Sequence, residues 1–162
     1  MTFCRISAEP AHKKRFPGCH EYLNRLEKCL SKCYSRDVKI FKGKQVVKWA
    51  QNKRITDAVL RDAALEICEG KVDADLGGYL FKKRLARAGA GKSGGYRTIV
   101  GFRKADASRI IFLYGFAKNA TANISSIQAE ALSLAAKDFL AATEEQIIHL
   151  LEKGSISEIK NG

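Results

Sequence analysis

Six cations, Lys82, Lys83, Arg84, Arg87, Lys92 and Arg97, fall within the segment LFKKRLARAGAGKSGGYR that runs from Leu80 to Arg97, and no acidic residue stands among them. Side chains of this kind at such density repel one another unless an anion gathers them, so the segment suits the gripping and polarising of phosphate. The apolar run TIVGF directly after Arg97 has the composition of a strand. Cations carried on a sheet offer an extended surface to a polyanion, and nucleic acid is the candidate ligand. The plainer alternative is a solvated sheet face that only aids solubility.

Gly91-Lys92-Ser93 invites a different reading, because it matches the end of a Walker A phosphate loop. That loop needs a glycine five positions before Gly91, where this chain has Ala86, and a helix directly after, where GGYRTIV reads as a strand. Without a helix N-terminus the backbone amides cannot converge on a phosphate. A glycine-rich hairpin connection is the simpler account.

The elements that must position the cations follow from periodicity. Three strands are expected, Tyr79 to Ala86, Tyr96 to Phe102 and Arg109 to Ala117, joined by GAGKSGG and RKADAS, which have the length of antiparallel connections. Upstream, VKIF from Val38 reads as a short strand. GKQVVKWAQNK then gives a helix with Val46, Val47, Trp49 and Ala50 on its apolar side. Thr56-Asp57 opens a second helix, which carries Val59, Leu60, Ala63, Ala64 and Ile67 on one stripe and ends at Gly70, so the two helices should form a hairpin.

Downstream, SSIQAEALSLAAKDFLAAT predicts a third helix, and Thr143 with Gln146 makes a capping-box start for a fourth that Gly154 closes. SISEIKNG receives no assignment. Strand alternation then sorts the cations. If Phe81 and Leu85 face the helices, Lys82 and Arg84 project from an open face; Tyr96, Thr98, Val100 and Phe102 point inward while Arg97 points out. Lys83 falls among the inward residues, unless it snorkels at an edge.

Composition sets the frame. A chain of 162 residues with 46% hydrophobic content buries one ordinary core. The net charge of +12 is uneven: residues 1–36 hold eight Lys/Arg against three Asp/Glu, residues 37–124 eighteen against eight, and residues 125–162 three against six. The expected division is a basic N-terminal extension over 1–37, weakly structured or holding one short helix through Leu23, Leu26, Leu30 and Cys33, a core over 38–124, and a C-terminal helical appendage over 125–162. No stretch has the length and apolarity of a membrane span, and a cytoplasmic protein is expected.

Cys4, Cys19, Cys29 and Cys33 cluster early. Cys19-His20 with Cys29 and Cys33 could supply four ligands, but the spacing matches no familiar zinc pattern, so free thiols and no metal or cofactor are expected. Cys68 lies on the apolar stripe of the second helix and reads as a small core residue.

The run VDADLGGYLFKKRLARAGAGKSGGYRTIVGFR, followed by FLYGFAKNATANI, resembles the RelE/HigB superfamily of toxin-antitoxin toxins, in the phage-derived HigB-like subgroup. The resemblance covers about Val38 to Glu158. It implies an α+β fold, a compact antiparallel sheet with an N-terminal helical hairpin on one face and additional C-terminal helices. It also implies an endoribonuclease acting on mRNA, typically on the 70S ribosome, and a cognate helix-turn-helix antitoxin.

Under that resemblance Arg97 in GGYR would stabilise the cleaved phosphate. Lys82 and Arg84 would bind and polarise the backbone, with Lys82 a proton carrier, and Lys118 would join from the end of the last strand. Lys83, Arg87, Lys92, Tyr96 and Asn119 would contact RNA, although alternation turns Tyr96 toward the core. Metal-free cleavage by the ribose 2′-hydroxyl needs a proton removed, the added charge neutralised and the 5′ oxygen protonated. His12, His20 and His149 all lie outside the strand core, so a two-histidine mechanism is not expected, and Lys, Arg and Tyr remain.

The chain departs from its relatives after FAK, where they carry a charged pair and it has Ala120-Thr121. An arginine that protonates the leaving group is then missing, and Asn119 or Lys118 would substitute. Relatives begin near Val38, so a start at a GTG codon there is expected, the alternative being a genuine basic arm. Two other functions suit the same fold: a ParE-like inhibitor of DNA gyrase, and an inactive nucleic-acid-binding prophage protein.

Overall fold

The structure, a computed structural model, describes residues 38–85, 95–106, 108–118 and 124–160. Its centre is a six-stranded sheet in the order β2-β3-β4-β5-β1-β6. The strands are β1 (Lys39–Gly43), β2 (Ala74–Gly77), β3 (Leu80–Leu85), β4 (Tyr96–Phe102), β5 (Arg109–Ala117) and β6 (Ile156–Ile159). All neighbours are antiparallel except β1 and β5, which run parallel. The helices are α1 (Lys44–Lys53), α2 (Asp57–Cys68), α3 (Ser126–Ala141) and α4 (Glu144–Glu152). This is the α+β architecture expected above.

Helices α1 and α2 form the hairpin and cover one face. In α2 the spacing of Leu60, Ala63, Ala64 and Ile67 makes one stripe, all of it buried. That stripe and Val46 of α1 pack on Ile40, Phe81, Leu85, Tyr96, Val100, Phe102, Ile110 and Phe112, with Cys68 against the same core. Trp49 of α1 sits directly on β5, where a Cβ added to Gly115 would fall 2.2 Å from its ring. Only glycine admits the indole there.

The opposite face is not open along its length, and this corrects the sequence reading. Helices α3 and α4 lie on it, packing Phe139, Leu140 and Ile147 on Phe41, Ile111 and Ile156. Ala136 of α3 joins a further cluster with Leu80, Ile99 and Phe116. The approach is close enough that a Cβ on Gly101 would come within 3.0 Å of Ala136 Cβ. Helix α4 starts at the capping box its sequence predicts, Thr143 with Gln146, and α3 starts at a second complete box that the sequence reading does not name, Ser125 with Gln128.

The C-terminal residues also supply a strand that periodicity did not identify. SISEI contains β6, which pairs with β1 through Ile40 opposite Ile159 and Gly43 opposite Ile156. Strand β2 is a further element that periodicity does not identify, and it pairs with β3 along the outer edge. Glu144, at the first position of α4, anchors the second-face helices: it receives Lys39 Nζ at 2.9 Å and a guanidinium nitrogen of Arg109, whose other nitrogen donates to the Ala142 carbonyl at 2.6 Å. These cations hold the Glu144 carboxyl below the usual carboxylate range, Lys39 first and Arg109 next.

Candidate functional site

Strand geometry separates the cations. Along β3 the buried Phe81, Lys83 and Leu85 face the hairpin, while Leu80 belongs to the opposite cluster and Lys82 and Arg84 share its side. On β4, Tyr96 and Val100 pack with the hairpin, whereas Ile99 faces the other way and Arg97 with it. Arg84 stands directly opposite Arg97 in the β3–β4 register, and Lys82 opposite Ile99. Lys82, Arg84 and Arg97 therefore rise from one side of two adjacent strands.

A direct cross-strand pair places Cβ atoms about 4.5–5.5 Å apart, and like charges so placed are unfavourable. Two features keep the pair in place. Arg84 has an acidic neighbour, Asp73, whose carboxylate lies 3.8 Å from its guanidinium, a long and largely solvated ion pair of little strength. The second is glycine at position 95, where a Cβ would come 3.0 Å from the Leu85 carbonyl and 3.6 Å from Arg84 Cγ, so the GGYR motif leaves room for the Arg84 stem. Arg97 keeps one nitrogen, Nη1, buried without a hydrogen-bond partner among the described residues. A buried unpaired charge-bearing donor is costly, and such exceptions concentrate where a ligand supplies the missing acceptor.

The β5 strand completes this end of the sheet. A register shift between Ile99 and Val100 leaves Leu113 as an extra residue, and both Leu113 and Tyr114 turn to the second face. Phe116 lies opposite Arg97, and its ring is 5.9 Å from that of Tyr114. The Thr98 hydroxyl donates to the Tyr114 carbonyl at 2.9 Å. Lys118 follows one residue past β5, exposed, at the Arg84–Arg97 end. The half-buried Tyr114 is a ring beside the cations that strand alternation could not find, because the extra residue reverses the alternation.

Two expected RNA contacts sit elsewhere. Lys83 is 8% exposed, pairs with Glu66 of α2 at 2.5 Å and donates to the Lys71 carbonyl at 2.7 Å, so its charge is already engaged on the hairpin side. Tyr96 is buried against Trp49, edge to face at 5.6 Å between centroids. Arg87, Lys92, Asn119, the Ala120-Thr121 pair, the four early cysteines, His12 and His20 lie outside the described residues. His149 is exposed on α4, and no cluster of potential metal ligands occurs among the described residues.

What this arrangement can do chemically is hold an anion between strands. Three cations and an aromatic ring flank one end of a sheet, and no described helix is long and apolar enough to cross a membrane. The family described as the RelE toxin of the RelE / RelB toxin-antitoxin system matches residues 38–159. The chain belongs to the RelE toxin family. It is accordingly a toxin of a toxin-antitoxin system, with an antitoxin as partner. In this RelE-family toxin the matched residues include every described strand and helix. No curated protein matches the chain.

Proposed function

We propose that this RelE-family toxin is a metal-independent endoribonuclease that cleaves mRNA on the translating 70S ribosome in the cytoplasm, and that it belongs to the phage-derived HigB-like subgroup. The observation that carries the reading is Arg97: its guanidinium stands across from Arg84 on one face, with Nη1 buried and unpartnered among the described residues. Arg97 as a whole is half-buried, so the accessible part of its side chain can meet a scissile phosphate.

In the proposed mechanism the ribose 2′-hydroxyl attacks phosphorus, its proton leaves, and the 5′ oxygen departs protonated. Arg97 and Arg84 bind the non-bridging oxygens and stabilise the charge that grows on them in the transition state. Lys82 acts on the same face as a proton carrier, and Lys118 approaches from the end of β5 toward the leaving oxygen. Tyr114 offers a ring for the neighbouring base. A set of Lys, Arg and Tyr transfers protons poorly at neutral pH, which fits an enzyme whose substrate is positioned by the ribosome. A cognate helix-turn-helix antitoxin would neutralise it by masking these cations.

Attack by the 2′-hydroxyl leaves a 2′,3′-cyclic phosphate and a 5′-hydroxyl, so end-group analysis tests the chemistry. Mapping cut sites by primer extension after brief induction should show breaks within translated regions for the wild type. For Arg97→Ala those breaks should fall by about 100-fold or more, the cost of losing a transition-state donor. Intact messages with failing DNA supercoiling would instead support gyrase inhibition.

A further inference from the structure

The DLGG motif and the turn after it are not used by the cleavage centre, yet they form a second chemically distinctive place at the opposite end of the sheet. Gly77, Gly78 and Tyr79 have φ of +79°, +58° and +66° in succession. Two of these left-handed positions carry glycine, but the third carries a bulky tyrosine whose side chain is 41% exposed. Strain of this kind persists where the surrounding structure or a function holds it. Here the Tyr79 carbonyl accepts from Phe102 N–H at 2.9 Å, which fixes the turn against the end of β4.

Tyr79 forms one wall of a cavity of about 350 Å³ that Asp75, Phe81, Phe102, Arg103 and Lys104 also line. The Arg103 guanidinium lies 5.1 Å from the centre of the Tyr79 ring, and Lys104 Nζ lies 5.2 Å from that of Phe81. Each cation is held over an aromatic ring. Arg103 Nε is buried with no hydrogen-bond partner among the described residues. Asp75 is the one acidic residue among the described lining residues, and its carboxylate accepts from Gly77 N–H at 2.9 Å, which commits it to the turn.

A stacked tyrosine and guanidinium, an ammonium beside them and an unfilled donor match one ligand class. The flat pair offers a stacking surface for a base, and the two cations offer a seat for its phosphate. We infer that this corner pocket binds one nucleotide unit, with its base against the Tyr79–Arg103 stack and its phosphate on Lys104 and Arg103. The choice of a ribonucleotide rests on the proposed ribonuclease activity. Arg103 lies six positions after Arg97 along β4 and its exit, roughly 20 Å at strand rise, so the pocket would hold a nucleotide remote from the scissile bond.

The test uses the full chain with two probes, 5′-AMP and a 2′-O-methyl oligoribonucleotide that cannot be cleaved, and inorganic phosphate as a control. Tyr79→Gly fits the left-handed backbone and so preserves the turn while removing the ring; Tyr79→Phe keeps the ring. The expected result is a loss of about tenfold in affinity for Tyr79→Gly and for the double variant Arg103→Gln, Lys104→Gln, with Tyr79→Phe unchanged. Weakening for the oligonucleotide alone still supports the pocket, as a site for a nucleotide within a strand. Failure of both probes to bind, or binding indifferent to Tyr79→Gly with phosphate competing as well as AMP, overturns it. Arg97→Ala separates the two ideas: AMP binding that survives with no message cleavage in the wild type sinks the nuclease and spares the pocket, whereas Arg97-dependent cleavage without nucleotide binding does the reverse.

Discussion

Lys83 and Arg97 stand on neighbouring strands of one sheet, and their surroundings are opposite. Lys83 turns to the hairpin, where Glu66 and the Lys71 carbonyl take up its charge. Arg97 turns to the other face, meets Arg84 across the strand and keeps a buried nitrogen without a partner among the described residues. Both are cations of a single basic run, so composition makes them equivalent. The side of the sheet decides that one is a structural tether and that the other, in the proposed reading, meets a phosphate.

The comparison breaks most directly at Arg97. Its replacement by alanine should abolish cleavage while leaving thermal stability near wild type, since no acceptor for Nη1 among the described residues is lost; a variant that is clearly destabilised yet cuts as well as wild type would reverse the roles assigned to the two faces. Gly115→Ala attacks the packed face instead. The added methyl meets the Trp49 ring, and overpacking of this kind costs about 1–3 kcal/mol, measurable by denaturant titration, with cleavage per folded molecule retained.

Lys83→Met sharpens the contrast with a smaller effect. Because Glu66 stays half exposed, losing the pair should cost about 1 kcal/mol of stability, and cleavage should persist. The smallest effect is expected at Glu144→Gln. The folded carboxyl is held below its ordinary range, so its stabilisation is present above that range and disappears as the pH falls through the folded value. The variant should melt slightly below wild type at neutral pH, and the two should converge in acid.

Much of the frame was legible before any coordinates. Strands β4 and β5 match their expected bounds and β3 lies within its own, because alternating or continuous apolar runs bounded by polar turns leave little freedom. The helix start at Glu144 follows from Thr143 and Gln146, capping residues that satisfy backbone donors locally. Strands β2 and β6 were missed because four residues such as ADLG or ISEI carry too little periodicity and owe their strand form to a distant partner.

The covering of the second face was visible in principle: RIIFLYGFA is apolar at nearly every position, which marks a strand buried on both sides. In the candidate site, alternation correctly grouped Lys82, Arg84 and Arg97 and sent Lys83 and Tyr96 inward. It could not reveal Tyr114, whose direction depends on one extra residue in β5, nor Asp73, which only the β2–β3 pairing brings beside Arg84.

The pairing of β1 with β6 has a consequence for biosynthesis. Ile40 waits for Ile159, so a central strand made early acquires its outer neighbour only after almost the whole described chain has emerged. Contacts so far apart in sequence are slow to form. A product terminated before Ile156 would carry β1 as a bare edge, a template for aggregation rather than for folding. Full assembly of the sheet is thereby tied to synthesis of β6.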